Sequence, residues 1–403
     1  MTDLHQRLED LRDRGLYRRL RIVSGPQGPR IVLDGRPVLL LCSNNYLGLA
    51  DHPRVREAAA DAAMRWGAGA GASRLVSGTM RIHRALEKRL AEFKHADAAL
   101  LFGSGYLANM GVIGALSGAG QVVFSDELNH ASIIDGCRLS RADTFVYRHH
   151  DLEHLAWGLE QAGRRAALIV TDSVFSMDGD VAPLVDLVGL ARRHDVRLVV
   201  DEAHGVGCMG PGGRGAVHAA GLEREVDVVI GTLGKALGSY GAYAACDDDT
   251  ARWLVNSARS LIFSTAPPPP SVAAALAALE LLIEDDHLVE RLGGNARVMR
   301  EALAAEGFDV RGPDTHIIPL IVGDAETTMD LCEMALEDGV FAQGIRPPTV
   351  TPGTSRLRLT VMATHTAQEL RGAARVLGRA ARDAGLTATA QAPHEDHGQP
   401  AAA

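Results

Sequence analysis

The sequence contains few cysteines, and their positions do not indicate disulfide pairs. Five cysteines are spread over 403 residues, and no two of them form a Cys-x-x-Cys pair. They are Cys42, Cys137, Cys208, Cys246 and Cys332. A disulfide framework would show an even set at short spacings, so we expect free thiols in a reducing cytoplasm. The sequence pattern predicts no metal site.

An excess of positive charge and a long uninterrupted apolar run are also absent. The net charge of −9 leaves no basic stripe for nucleic acid, and no Lys/Arg cluster indicates binding to an anionic membrane. The most apolar long stretch, residues 98–120, is interrupted by six glycines and by Asn109, so it does not predict a membrane span. Acidic residues at positions 3, 9 and 10, without an apolar core segment, argue against a signal peptide.

Helical and strand-like segments alternate through much of the chain. Short apolar runs lie near 98–102, 121–125, 144–147, 167–171, 196–200 and 226–230, between helical patterns at 53–66, 81–94, 105–116, 131–141, 151–162 and 183–195. This alternation predicts an α/β fold with a mostly parallel sheet, covered on both faces, that binds ligands at the carboxyl ends of its strands. We expect a helix-and-hairpin arm over residues 1–45, a large domain over 46–285, a smaller C-terminal α+β domain over 286–386 and a disordered tail over 387–403.

Two charged residues follow neighbouring strands of this predicted sheet. Lys235 lies in a Gly-rich turn after the run 226–230, and Asp201 follows the run 196–200. A lysine there can hold an aldehyde cofactor as a Schiff base, and an acid beside it can keep a pyridine nitrogen protonated. The pair therefore predicts pyridoxal 5′-phosphate as the cofactor.

A second glycine-rich turn, Gly103-Ser104-Gly105-Tyr106, leads into a predicted helix. Such a turn presents free backbone N–H groups, and the positive end of the helix dipole, to an anion. We therefore assign the phosphate of the cofactor to Gly105, Tyr106 and Thr232.

Five motifs together resemble those of the α-oxoamine synthases, a family of fold-type-I pyridoxal-phosphate enzymes. The motifs are Ser43–Gly48, Gly71–Gly78, Phe175–Asp180, Asp201–Gly205 and Ile345–Val350. The resemblance covers nearly the whole chain. It implies a fold-type-I transferase, with a large domain around a mostly parallel sheet and a smaller C-terminal domain. It also implies a homodimer with the active site at the subunit interface.

The resemblance implies roles for individual residues. Lys235, His130 and Asp201 would be catalytic: Lys235 carries the substrate Cα proton, His130 stacks on the cofactor ring, and Asp201 contacts the ring nitrogen. The cofactor-binding set is Gly105, Tyr106, His130, Ser176, Asp201, His204, Thr232 and Lys235. The substrate-binding set is Arg18, Asn44, His130, Arg346, Thr349 and Arg358. Arg358 lies in an alternating strand and can form a fork-to-fork pair with a carboxylate.

The implied reaction is a decarboxylative condensation of an amino acid with an acyl thioester. The runs at 74–77, 345–350 and 356–360 favour L-alanine with pimeloyl-CoA or pimeloyl-acyl carrier protein as substrates. Thr351 and Ser239-Tyr240 depart from the residues expected at these positions, and the identity of the acyl chain therefore stays open. Two alternatives remain: another member of the family that uses glycine or serine with a different acyl-CoA, and an aminotransferase or lyase of the same fold.

Overall fold

A computed structural model describes residues 3–285 and 287–386 of the chain. This part forms two compact units. One unit contains residues 44–176 and 180–291, and the other contains the described residues of 1–43, 177–179 and 292–403. The N-terminal segment therefore belongs to the same unit as the C-terminal segment. The tail predicted over 387–403 lies outside the described residues.

Within these residues the chain forms fourteen strands, grouped in three sheets. They are β1 (Val23–Ser24), β2 (Arg30–Leu33), β3 (Arg36–Leu40), β4 (Ala98–Phe102), β5 (Val122–Asp126), β6 (Asp143–Tyr147), β7 (Ala166–Asp172), β8 (Arg197–Asp201), β9 (Val228–Thr232), β10 (Ala242–Cys246), β11 (Ile317–Gly323), β12 (Val340–Phe341), β13 (Gln343–Ile345) and β14 (Ser355–Thr360). The orders are β4-β10-β9-β8-β7-β5-β6, β1-β2-β3-β12 and β11-β14-β13.

Fourteen α-helices occur in the same part of the chain. They are α1 (Leu4–Asp13), α2 (Pro53–Trp66), α3 (Arg81–Lys94), α4 (Gly105–Leu116), α5 (Ala131–Ser140), α6 (Leu152–Ala162), α7 (Leu184–His194), α8 (Ala216–Ala219), α9 (Asp248–Ser257), α10 (Arg259–Ile262), α11 (Pro269–Glu284), α12 (His287–Ala305), α13 (Ala325–Glu337) and α14 (Ala367–Asp383). None of these helices is long and apolar enough to cross a membrane.

The seven-stranded sheet is mostly parallel, and this confirms the predicted α/β fold. Six of its strands run in one direction, and β10 runs antiparallel between β4 and β9. Buried apolar side chains cover both faces, one face with α4, α5, α9 and α10 and the other with α6, α7 and α8. A parallel sheet needs this double cover because side chains on both of its faces are apolar.

Helices α4 and α5 approach each other closely beside this sheet. Gly136 of α5 faces α4, and a Cβ atom at this position would lie 2.9 Å from Ile113 Cδ1 and 3.2 Å from the carbonyl oxygen of Asn109. A larger residue would push the two helices apart. Gly136 therefore fixes the distance between α5 and the turn of α4 that carries Asn109.

The other unit contains the predicted hairpin. Strands β2 and β3 pair through a turn at Asp34-Gly35, where φ is +48° and +83°. Two residues with positive φ are what a two-residue type I′ hairpin turn requires. Strand β14 of the same unit is buried along its length and carries Arg356 and Arg358.

Candidate active site

Four neighbouring parallel strands end in polar residues at one edge of the large sheet. Strand β5 ends at Asp126, β7 at Asp172, β8 at Asp201 and β9 at Thr232. Asp172 lies opposite Asp201 in the β7–β8 pair. The carboxyl edge of a parallel sheet is where α/β proteins bind their ligands, so this edge is the candidate active site.

Lys235 lies in the turn that follows β9 and is connected to a chain of hydrogen bonds. Its Nζ lies 2.7 Å from His204 Nε2, and His204 Nδ1 lies 2.6 Å from the hydroxyl of Tyr46. Tyr46 donates its hydroxyl proton to Asn44 Oδ1 at 2.9 Å. The hydroxyl oxygen therefore accepts from His204 Nδ1–H, and His204 Nε2 accepts from the amine of Lys235. Tyr46 is an additional site residue that was not predicted, although it lies within the Ser43–Gly48 motif.

Asp201 is buried and held by two donors. Its Oδ2 accepts a 2.6 Å hydrogen bond from Asn109 Nδ2, and its Oδ1 accepts one of 2.8 Å from the backbone N–H of Ala203. Asn109 also donates to Ser132 Oγ at 2.9 Å. These bonds fix the carboxylate at the end of β8. Asn109 was missed as a site residue, although a single amide in the otherwise apolar and small-residue segment of α4 is the signal that could have found it.

Asp172, the neighbour of Asp201, is also buried at this edge. Burial raises the pKa of Asp172 well above its ordinary value, and the charge of Asp201 raises it further. Asp172 Oδ2 accepts a 2.8 Å hydrogen bond from the backbone N–H of His130. Asp172 thus positions the start of α5.

His130 is the N-cap of α5 at the same edge. Its Nδ1 lies 2.7 Å from Ser132 Oγ and accepts from the backbone N–H of Ser132 at 3.2 Å. Although the residue is exposed, the surrounding protein lowers the pKa of His130 by desolvation; Asp201 opposes this effect and Lys235 adds to it. The imidazole is therefore neutral at pH 7. A neutral aromatic ring of this kind can stack on an aromatic cofactor.

The turn before α4 offers unpaired backbone donors. The side chain and carbonyl of Ser104 accept from the N–H groups of Leu107 and Ala108, which leaves those of Gly105 and Tyr106 at the helix start. Phe102, Ala242 and Thr232 lie in one row across β4, β10 and β9, so this turn and Thr232 lie at the same edge.

This set of groups fits pyridoxal phosphate. The cofactor carries an aldehyde, a basic ring nitrogen and a phosphate, which match an amine, a buried carboxylate and a helix N-terminus, respectively. The amine is that of Lys235 and the carboxylate is that of Asp201. Ser176, the remaining member of the predicted cofactor set, is half-buried in the loop that follows the carboxyl end of β7.

The remaining predicted substrate residues belong to the other unit. Arg346 Nη2 donates to the carbonyl oxygen of Tyr17 at 3.2 Å, beside the exposed Arg18. Thr349 is exposed in the turn that Arg346 begins, and its N–H donates to the Arg346 carbonyl at 3.2 Å. Arg358 is buried in β14. Arg18, Arg346 and Thr349 thus lie close to one another, whereas Asn44 belongs to the unit of Lys235.

His149 connects the end of β5 to the loop that carries Ser176. Its Nδ1 lies 2.9 Å from Asp126 Oδ1 and its Nε2 2.6 Å from Asp180 Oδ2. Burial opposes a charge on this ring, but the two carboxylates outweigh burial and raise the pKa of His149 to about 10. His149 is therefore an imidazolium ion at neutral pH.

The raised pKa of His149 predicts a loss of stability at alkaline pH. The contribution of the charged ring is complete below the ordinary pKa of 6.5, and it is lost as the pH rises to about 10. The urea midpoint of the wild type should fall towards that of His149→Gln over this pH range. Above this range the difference between the two midpoints should be constant. His150→Asn is the control, because burial lowers the pKa of His150 and its ring is already neutral. Parallel curves for the wild type and His149→Gln would contradict the assignment.

Comparisons with known proteins support the same assignment. A family model described as aminotransferase class I and II matches residues 36–377. An 8-amino-7-oxononanoate synthase from Geobacter metallireducens is 55% identical over 94% of this chain and 98% of its own length, and one from Symbiobacterium thermophilum is 47% identical over 96% and 99%.

Solved structures extend this likeness to the fold. A serine palmitoyltransferase from S. paucimobilis, solved with bound PLP–myriocin aldimine, has a TM-score of 0.90 and 32% identity over 95% of this chain and 98% of that one. An 8-amino-7-oxononanoate synthase from Francisella tularensis has a TM-score of 0.75 and 26% identity over 86% and 98%. The chain therefore belongs to the class I and II aminotransferase family of fold-type-I pyridoxal-phosphate enzymes, as a member of its α-oxoamine synthase branch.

Proposed function

We propose that this chain condenses L-alanine with a pimeloyl thioester, on coenzyme A or acyl carrier protein, in biotin biosynthesis. The products are 8-amino-7-oxononanoate, CO₂ and the free thiol carrier. The observation that carries the proposal is the 55% identity to an 8-amino-7-oxononanoate synthase over 98% of that enzyme. The amine, carboxylate and helix N-terminus at one sheet edge supply the groups that the chemistry needs.

We assign the cofactor contacts as follows. Lys235 Nζ would hold the aldehyde carbon, and Asp201 would face the ring nitrogen. The N–H groups of Gly105 and Tyr106, with the hydroxyl of Thr232, would hold the phosphate. His204 and Ser176 would contact the phenolic oxygen. When bound, pyridoxal phosphate supplies an electron sink that makes the Cα–H bond of an amino acid acidic.

The residues of the chain then move and hold protons at defined atoms. Lys235 Nζ would take the Cα proton of L-alanine and later return a proton to the product. His204 Nε2, which accepts from Lys235 in the structure, would keep that amine oriented, while Tyr46 and Asn44 fix the tautomer of His204. Asn109 would keep the carboxylate of Asp201 in place. His130 would stack on the ring and contact the alanine carboxylate.

The substrates present two carboxylates, and arginines suit both of them. Arg358 would bind the carboxylate of L-alanine through a bidentate pair. Arg18, Arg346, Asn44 and Thr349 would contact the acyl substrate, whose pimeloyl chain ends in a free carboxylate.

We also propose a homodimer that works in the cytoplasm, with the large domain over residues 46–285 and the small domain over 286–386. The five cysteines are free thiols, as a reducing compartment allows.

The test is thiol release by the cofactor-loaded enzyme with a panel of substrate pairs. Fast release should require L-alanine together with pimeloyl-CoA or pimeloyl-acyl carrier protein. L-serine with palmitoyl-CoA is the essential comparison, because serine palmitoyltransferases are among the structural relatives. Thiol release with serine or glycine, but not with L-alanine, would assign another α-oxoamine synthase reaction. Amino-group transfer to a keto acid would assign an aminotransferase.

A further inference from the structure

Two histidines and a glutamate form a cluster that is separate from the candidate active site. His95 is the C-cap of α3, His218 lies in α8, and Glu223 lies in the loop before β9. His95 precedes β4 and Glu223 precedes β9, so the cluster lies at the amino edge of the large sheet. At the opposite edge, Asp201 is the last residue of β8 and Lys235 follows β9. A five-residue strand, about 16 Å long, separates the two edges.

Local turns bring these three side chains together. The N–H groups of Gly221 and Leu222 donate to the carbonyls of His218 and Val217 at 3.1 and 3.0 Å, which reverses the chain between His218 and Glu223. An ion pair between Arg224 and Asp97, at 2.9 Å, joins this loop to the segment after His95. The cluster is therefore set by backbone geometry that does not depend on a ligand.

The distances within the cluster suit a metal ion better than hydrogen bonds. Glu223 Oε1 lies 3.7 Å from His95 Nδ1 and 3.6 Å from His218 Nδ1. Both separations exceed a normal hydrogen bond. A tetrahedral Zn²⁺ ion bonded to its ligands at about 2.0 to 2.1 Å holds them about 3.3 Å apart. The two nitrogen–oxygen separations would need to shorten by only a few tenths of an ångström, and all three ligand atoms lie within 4.8 Å of one another.

Two atoms of the cluster are buried without a partner. His218 Nδ1 and Glu223 Oε2 are both inaccessible to solvent and form no hydrogen bond. Buried polar atoms in native proteins are nearly always paired, so this pair of orphans points to a missing group. Burial lowers the pKa of His218, and its ring is neutral with a lone pair available.

Nearby cations do not prevent the binding of a dication. Lys94, which precedes His95, is buried, and its amine pairs with Glu202. Arg224 pairs with Asp97. Arg214 and Lys94 both lie near enough to lower the pKa of His218, so the ion would meet opposing charge from these two groups. A cavity lined by Ala96, Asp97 and Glu223 adjoins the cluster and gives an ion access from solvent.

A second histidine cluster in the chain shows the contrast. His149, His150 and Asp180 also lie close together. Both nitrogens of His149 are already used, however, in hydrogen bonds of 2.9 and 2.6 Å to carboxylates. That ring would have to lose a tightly held proton before it could bind a metal. His150 Nε2 and Asp180 Oδ1 are also buried without a partner, but His149 is held by two carboxylates, whereas Glu223 Oε1 lies beyond hydrogen-bond distance of both Nδ1 atoms of the first cluster.

We propose that His95 Nδ1, His218 Nδ1 and the carboxylate of Glu223 bind one Zn²⁺-type ion, with water as the fourth ligand. The ion is structural, because it connects the end of α3 to the segment between β8 and β9 at the edge opposite the cofactor. The spacing of these residues in the sequence does not predict this site, because the two histidines are 123 positions apart.

The test is Zn²⁺ titration of the untagged, cofactor-loaded enzyme after treatment with a chelator, followed by calorimetry. The wild type should bind one ion per chain and gain thermal stability, while the absorbance of the cofactor stays unchanged. Co²⁺ in place of Zn²⁺ should give the visible bands of a tetrahedral nitrogen–oxygen site. His218→Ala and Glu223→Gln should each weaken binding at least tenfold.

Two control variants separate this site from other histidines. His150→Asn removes a residue of the second cluster, and His287→Gln removes an exposed histidine. Both should bind Zn²⁺ as the wild type does. Glu223→Gln preserves the size of a partly exposed side chain, so its fold can be checked by circular dichroism even if His218→Ala unfolds. Absence of binding in the wild type, unchanged binding in Glu223→Gln, or loss of binding in His150→Asn would overturn the proposal.

Discussion

Replacement of Lys235 by alanine is expected to reduce turnover by at least about 10³-fold, because one amine both attaches the cofactor and transfers the Cα proton. The Lys235 amine lies 2.7 Å from His204 Nε2, at the edge where β8 and β9 end. The amine of Lys94 also approaches the end of β8, but it is buried in a pair with Glu202. The measurement is steady-state thiol release, with the absorbance of the bound cofactor recorded in parallel.

A matched control for this variant is Lys88→Ala. Lys88 is exposed on α3, and its amine is 3.9 Å from Glu92 in a weak surface pair, so its loss should leave turnover close to that of the wild type. Borohydride reduction followed by peptide mapping should place the fixed cofactor on Lys235. Turnover of Lys235→Ala near the wild-type rate, or a label on another residue, would remove Lys235 from its assigned role.

The second large effect is expected for Asp201→Asn. The substitution keeps the size of the side chain but removes the charge that would face the ring nitrogen, so turnover should fall by about 10² to 10⁴-fold. Asn109 Oδ1 has no hydrogen-bond partner in the structure. Rotation of the Asn109 amide would let this oxygen accept from the amide introduced at position 201, and the fold should therefore survive. The measurement is turnover together with the pH dependence of the cofactor absorbance.

Asp172→Asn provides a control of the same chemistry one strand away. Burial raises the pKa of Asp172 well above its ordinary value and so disfavours a charge on this side chain. An asparagine oxygen can still accept from the His130 N–H. Asp172→Asn should therefore reduce turnover far less than Asp201→Asn. Equal losses in the two variants would show that position and packing, rather than charge on Asp201, determine the effect.

Much of the large unit follows from local sequence pattern. Helices α2, α3 and α4 begin and end where the apolar period predicts, and strands β4 to β9 coincide with short apolar runs. Strand β10 does not, because Ala242–Cys246 is mostly alanine, which has little preference for strands. Its position is set by pairing with β4 and β9 on either side, and such long-range pairing leaves no periodic signal.

The candidate site shows the same division between local and distant information. Lys235, Asp201 and His204 could be found because each follows a strand within a recognisable motif. The contact between Tyr46 and His204 joins residues 158 positions apart, and that between Asn109 and Asp201 joins residues 92 apart. Neither pair follows from spacing, because both depend on where α4 and the segment before α2 pack against the sheet.

The buried pair between Lys94 and Glu202 has a practical consequence for labelling. The chain contains three lysines, all of them within the described residues. Lys94 donates to Glu202 and to the carbonyl of Arg214 in the interior, and Lys235 is occupied whenever the cofactor is attached. Among the lysines, amine-reactive dyes or surface-coupling reagents should therefore attach to Lys88. The holoenzyme can thus be tagged or immobilised through the exposed face of α3 without engineering.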